Sequence, residues 1–297
     1  MRTNGNGSGT RTARAALALA LLLGGASAAQ ADDFQKTLPA QAEGMLRVEL
    51  DRGSIEVEAH ARPEVRVDAR ADDMEFELNR DGDVFELQGR GRGGFLNLFG
   101  GGRVRVRVRV PKRFSVDVQT QGGSIDVERL EGAVSARTQG GSIDVEGAQG
   151  AVHLQTSGGS IRVEEVRGDV EASTSGGSID ARNVDGRIEA RTSGGNIDLR
   201  DVRGPVDAET SGGSVRARFT HGAQGNLRTS GGNVEVVLPR GTGAELDAHT
   251  SGGRIELEPS IPVQGSQSPS RVEADINGGG ARLELQTSGG NIRIRLD

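Results

Sequence analysis

A four-residue tag, Thr-Gln-Gly-Gly or Thr-Ser-Gly-Gly, recurs along the chain on a fixed clock. Copies begin at Thr120, Thr138, Thr156, Thr174, Thr192 and Thr210, each 18 residues after the last. Three more follow at Thr229, Thr250 and Thr287, at intervals of 19, 21 and 37 residues. A fixed period of this kind is the signature of stacked structural units, each too small to fold alone.

One unit, from Thr174, reads TSGGSIDARNVDGRIEAR. Ile179 and Ala181 alternate with charged residues, and so do Ile188 and Ala190. That period of two predicts strands rather than a helix. Each unit therefore holds two short strands. Gly-Gly precedes one and a single glycine, here Gly186, precedes the other. Glycine suits the corners because it accepts positive φ and close backbone approach. The expected fold is an all-β solenoid of coils of about 18 residues, its core made of Ile, Val, Leu and Ala ladders.

Residues 32–119 lack the clock and read as an irregular N-terminal β region or cap. Candidate strands there run 45–51, 54–59, 64–69, 74–78, 84–87, 104–110 and 114–118. The repeat region spans 120–297. The Pro/Ser-rich stretch EPSIPVQGSQSPSR, Glu258 to Arg271, is an insertion that breaks the period.

The first 31 residues read as a secretory signal peptide. Arg2, Arg11 and Arg14 precede a short apolar run, Ala15 to Leu23, and Ala26-Ser27-Ala28 and Ala29-Gln30-Ala31 both fit small-x-small cleavage. The exported chain would begin at Ala29 or Asp32, in the periplasm, at the cell surface or outside the cell. Loss of three arginines and no acids moves the formal charge from −6 to −9. A mildly acidic chain does not read as a nucleic-acid binder. No later stretch is apolar and long enough for a transmembrane helix. There is no cysteine, so neither disulfides nor thiolate chemistry are available.

Two stretches, RVRVRVRVPKRFSVDVQTQGGSIDVERLEGAVSARTQGGSIDV from Arg103 and GGNVEVVLPRGTGAELDAHTSGGRIEL from Gly231, resemble the bacterial putative-adhesin β-strand-repeat domain of unknown function. The resemblance covers most of residues 45–297. It implies a repeat β fold and carries no catalytic or ligand residues over.

Chemistry is sparse. Calcium-binding β-rolls repeat G-G-x-G-x-D-x-U-x, but in GGSIDVERL, Gly122 to Leu130, Ile125 stands for the third glycine and Val127 for the aspartate. No metal site is expected. His60, His153, His221 and His249 have no metal spacing. There is no nucleophile elbow and no phosphate loop, so no cofactor is implied. Outward charges form two ladders. One is Asp126, Asp144, Arg162, Asp180, Asp198, Arg216; the other is Glu128, Glu146, Glu164, Arg182, Arg200, Arg218. A threonine row from Thr120 to Thr210 raises the idea of an ice-binding face, which would want a second matching row.

The candidate binding region is Arg103, Arg105, Arg107 and Arg109, alternating with valines, beside an apolar loop tip at Phe95, Leu96, Leu98 and Phe99. Positive charge next to greasy side chains suits lipopolysaccharide or another amphiphilic anion. The alternative is that the arginines guard a sheet edge. The chain is expected to be non-enzymatic, an envelope adhesin, scaffold or binder whose partner is a glycan, lipopolysaccharide or another envelope protein. The rival is a polysaccharide-processing β-helix enzyme, but the chain has no Trp or Tyr for sugar platforms and its acids recur by coil rather than cluster.

Overall fold

A computed structural model describes residues 32–91 and 104–297. The signal-peptide reading of residues 1–31 lies outside the described residues. So do Phe95, Leu96, Leu98, Phe99 and Arg103. The described residues form 27 strands in two sheets and no helix.

Eight strands come before the first Gly-Gly tag. They are β1 (Asp32–Pro39), β2 (Glu43–Leu50), β3 (Ser54–His60), β4 (Glu64–Ala71), β5 (Met74–Asp81), β6 (Val84–Gly91), β7 (Arg105–Pro111) and β8 (Arg113–Thr120). Regular coils follow. Their first-sheet strands are β9 (Ile125–Glu128), β11 (Ile143–Glu146), β13 (Ile161–Arg167), β15 (Ile179–Asp185), β17 (Ile197–Arg203), β19 (Val215–His221) and β21 (Val234–Leu238). The second-sheet strands between them are β10 (Val134–Thr138), β12 (Val152–Thr156), β14 (Val170–Thr174), β16 (Ile188–Thr192), β18 (Val206–Thr210) and β20 (Gly225–Thr229). The chain ends with β22 (Ala244–Thr250), β23 (Ile255–Leu257), β24 (Val263–Gln267), β25 (Arg271–Ile276), β26 (Ala281–Thr287) and β27 (Ile292–Leu296).

Coils stack in parallel, like residue on like residue. Ile161 pairs with Ile179 and Ile179 with Ile197; Val170 pairs with Ile188 and Ile188 with Val206. These residues are at most 2 % exposed and form one continuous core between the sheets. Burying each such side chain is worth about 1.5–3 kcal/mol. Val184 breaks the alternation of its strand because Asn183 sits at φ 54° and turns the next side chain inward. Arg129, Glu165 and Asp201 do the same at this place in their coils, and Gly147 takes it in the coil between Arg129 and Glu165.

The tag has a specific job. Thr192 Oγ1 donates to Gly177 O at 2.8 Å, in the coil before, and accepts from Gly195 N at 3.3 Å. Thr138, Thr156, Thr174, Thr210, Thr229, Thr250 and Thr287 repeat both bonds. All nine tag threonines are buried. The idea of an ice-binding threonine face is therefore wrong, since the hydroxyls are spent inside the corner. Close approach governs the second glycine of the pair. A Cβ on Gly195 would lie 2.0 Å from Gly177 O, whereas its φ is not positive.

At both ends the coils stack out of chain order. The first sheet runs β1-β4-β7-β3-β9-β11, and the second runs β10-β8-β2-β6-β5 at the same end. The β2–β3 coil is thus inserted between β6–β7, made later, and β8–β9. At the far end β26–β27 lies between β20–β21 and β22–β23. Antiparallel strands then close three of the four sheet ends. β4 and β1 add to β7, β5 adds to β6, and β25 and β24 add to β22. Phe34 of β1 meets Phe76 of β5 at 5.8 Å between ring centroids, bridging the two sheets. Reversed strands thus end three of the four sheet edges, while the first sheet ends at the far side on β23, parallel to β27.

Candidate functional site

Two features build the arginine region. Val104, Val106, Val108 and Val110 are buried, so the intervening Arg105, Arg107 and Arg109 face outward. Strand order then decides their neighbours. β7 lies inside the first sheet, flanked by β3 and β4, and is not an edge. From β3 come Glu56, opposite Arg107, and Glu58, opposite Arg109. From β4 come Arg66 opposite Arg109, Asp68 opposite Arg107 and Arg70 opposite Arg105.

Two cross-strand pairs thus set arginine directly against arginine, which is unfavourable in an antiparallel pair. Carboxylates offset part of the repulsion. Arg107 Nη2 donates to Glu56 Oε2 at 2.9 Å, and Arg109 reaches Glu58 at 3.5 Å and Asp68 at 3.8 Å. Arg66 grips Asp68 through two bonds, at 3.0 and 3.2 Å. Arg70 reaches Asp33 at 3.3 Å. Arg105 is exposed and forms no ion pair with a described residue; its charge only partly offsets the upward shift of the Asp126 carboxyl. The five guanidinium groups surround an open groove of about 320 Å³, with Asp33, Gln35 and Asp68 on its wall.

The sequence pointed to Arg105, Arg107 and Arg109, which the structure brings together. It missed Arg66 and Arg70. The signal was present: EVRVDARA, Glu64 to Ala71, shows the same outward arginine beside inward valine.

The acidic side of the same face begins next door. Asp126 pairs in register with Glu56 and Asp144. Burial pushes the Asp126 carboxyl above the usual range, and Asp144, Glu56 and Glu128 push it further. Burial raises Asp144 too, against the pull of Arg162. Ile125 and Val127 face the core, so the calcium-roll aspartate position is filled by a buried valine. Among the described residues no group of three or more His, Asp or Glu side chains could hold a metal ion. The four histidines stand apart; His153 Nδ1 contacts Glu171 at 2.9 Å and His60 Nε2 contacts Glu64 O at 2.9 Å.

Residues 44–295 match the family model described as Toastrack DUF4097. The chain belongs to the Toastrack DUF4097 family. That family is a bacterial domain of unknown function, in keeping with the resemblance seen in the sequence. Solved structures similar to this Toastrack chain include a putative adhesin from Bacteroides fragilis, at 8 % identity over 90 % of this chain and 97 % of that one, TM-score 0.45. A putative lipid binding protein from Parabacteroides distasonis matches at 12 % identity over 89 % and 96 %, TM-score 0.47. A putative adhesin from the same species matches at 11 % identity over 90 % and 98 %, TM-score 0.32. No curated protein matches the chain.

Proposed function

We propose that the protein is an exported, non-catalytic β-solenoid that binds a polyanion of the cell envelope through the arginine groove on its first sheet. The observation that supports this most is the antiparallel pairing of Arg66 with Arg109 and of Arg70 with Arg105. Folding sets like charges against each other there, and an anion seated among them relieves that cost. Phosphates of lipopolysaccharide and carboxylates of an acidic glycan both present the required chemistry. The apolar stretch Phe95 to Phe99 stands a few residues before Arg105 in sequence, which favours an amphiphile such as lipopolysaccharide.

The test uses the full exported chain and vesicles containing lipopolysaccharide. Arg70→Ser with Arg105→Ser removes the opposed pair and leaves the Arg107 and Arg109 bonds to Glu56 and Glu58 in place. Binding of the native chain should weaken with added salt, and the double variant should bind more weakly at an unchanged melting temperature. Equal binding by both proteins, or none by the native chain, removes this reading. Mass spectrometry of the exported protein should place its first residue at Ala29 or Asp32.

A further inference from the structure

A second concave surface lies elsewhere, at the corner where the second sheet turns into the Gly-Gly tags. It encloses about 370 Å³ and carries Gln119, Gln121, Gln139 and Gln155. Gln119 and Gln121 flank the buried Thr120; Gln139 follows Thr138 and Gln155 precedes Thr156. The buried threonines anchor the backbone of the corner that carries the exposed amides. Later coils do not continue the patch. The position after the tag threonine holds Ser157, Ser175, Ser193, Ser211, Ser230, Ser251 and Ser288 instead.

A carboxamide offers one acceptor oxygen and two N–H donors. Amides stacked in β structure commonly satisfy one another rung to rung. Here they do not. Arg137 stands between Gln119 and Gln155 in register and is engaged by Asp117 at 3.3 Å and Ser135 at 2.9 Å. None of the four amides makes a side-chain hydrogen bond to a described residue. Four unspent donor–acceptor groups thus face one groove, on coils about 4.8 Å apart.

The walls narrow the ligand class. Among the described residues Arg137 is the only cation lining the groove and is already committed, while Glu49 and Asp51 repel anions. Anions are thus disfavoured, and the four amides favour an uncharged ligand with many donors and acceptors. Acetamido groups complement carboxamides best, because each pairs N–H with C=O in both directions. Successive rings of an extended sugar chain would meet successive coils. We infer that this glutamine corner is a second binding site, for a neutral glycan bearing hydroxyl and acetamido groups. It is separate from the arginine groove in place and in chemistry.

The experiment titrates the full exported chain with a hexamer of N-acetylglucosamine and with a β-linked hexamer of glucose, at about 0.5 M salt to screen the arginine groove. The native chain should bind the acetamido hexamer saturably, and the glucose hexamer at least about tenfold more weakly. Serine at all four glutamine positions should weaken acetamido binding by at least about tenfold without changing the melting temperature. If that variant fails to fold, Gln121→Ser with Gln139→Ser replaces it, since serine stands at this place in seven other coils. No saturable binding by the native chain, equal affinity for both hexamers, or undiminished binding by the folded variant would each overturn the proposal.

Discussion

The two glycines of one tag should respond very differently to the same added methyl group. A Cβ on Gly195 would sit 2.0 Å from Gly177 O and 2.4 Å from Gly177 C. Both are backbone atoms of the neighbouring coil, so no side chain can swing away. Relief requires the coils to part by about an ångström, at the point where Thr192 Oγ1 holds Gly177 O at 2.8 Å. Overpacking of this kind costs about 1–3 kcal/mol, and the rigid partner puts Gly195→Ala at the upper end. A Cβ on Gly194 would meet Gly176 O at 3.4 Å, an ordinary contact. Gly194 has no positive φ, so alanine there is strain-free and gains by restricting the unfolded chain, within about 1 kcal/mol. At about 2–4 °C per kcal/mol for a chain of this size, Gly195→Ala should lower the melting temperature by about 5–10 °C. Gly194→Ala should shift it by no more than about 4 °C. Circular dichroism melts of the two variants decide the matter. Equal shifts, or a tolerated Gly195→Ala, would show that close coil approach is not what the second glycine serves.

Other predictions follow from the same contacts. Thr192→Val keeps the side-chain volume but leaves Gly177 O and Gly195 N without the hydroxyl, and should cost about 1–2 kcal/mol in urea unfolding. The exposed Arg191→Ser, which removes ion pairs to Glu189 and Asp207, should cost under about 1 kcal/mol. The Asp126 carboxyl titrates above its ordinary value of 3.8 in the folded state, so its ionisation weakens the fold. That cost is absent below the unfolded value, sets in between the unfolded and the raised folded value, and is complete above. Asp126→Asn should therefore raise the melting temperature at pH 7 by about 1 °C, an effect kept small by solvent screening, and change nothing at pH 3. A loss of stability at pH 7 would refute the assignment.

Most of the repeat was legible because the side-chain pattern and the tag are both local. Ile179, Ala181, Ile188 and Ala190 declared their strands, and seven candidate strands before Thr120 correspond to β2 through β8. β1 escaped because DDFQKTLP has only Phe34 and Leu38 to mark a face, and each is only partly buried. β24 escaped because Pro262, Gly265 and Pro269 make its stretch read as a loop, and its residues are largely exposed. The role of the tag threonine was hidden for another reason. A hydroxyl bonded to a carbonyl one coil away looks the same in sequence as a solvent-facing one. Coil order was the deepest omission. The 37-residue interval between Thr250 and Thr287 shows an interruption, but no local pattern says that β26 will slide between β20 and β22. The same holds at the other end, where insertion of β2–β3 places Glu56 and Glu58 beside the arginines. Composition and spacing supplied Arg105, Arg107 and Arg109; only long-range strand pairing supplied Arg66 and Arg70 as their opposites.

Out-of-order stacking at the N-terminal end brings Glu56 and Glu58 to Arg107 and Arg109, and disulfide trapping measures that order directly. The chain has no native cysteine to interfere. Glu49 of β2 pairs in register with Gln119 of β8 on one side and with Gln88 of β6 on the other. Neighbouring strands lie about 4.8 Å apart, within disulfide range, while Gln88 and Gln119 are two strands apart at about 9–10 Å, beyond it. Stacking in chain order would instead make β6 and β8 neighbours. Under mild oxidation, the Glu49→Cys/Gln119→Cys protein should form an intramolecular disulfide and the Gln88→Cys/Gln119→Cys protein should not. Cross-linking of the second pair in place of the first would contradict the inserted coil and the carboxylate partners it brings to Arg107 and Arg109.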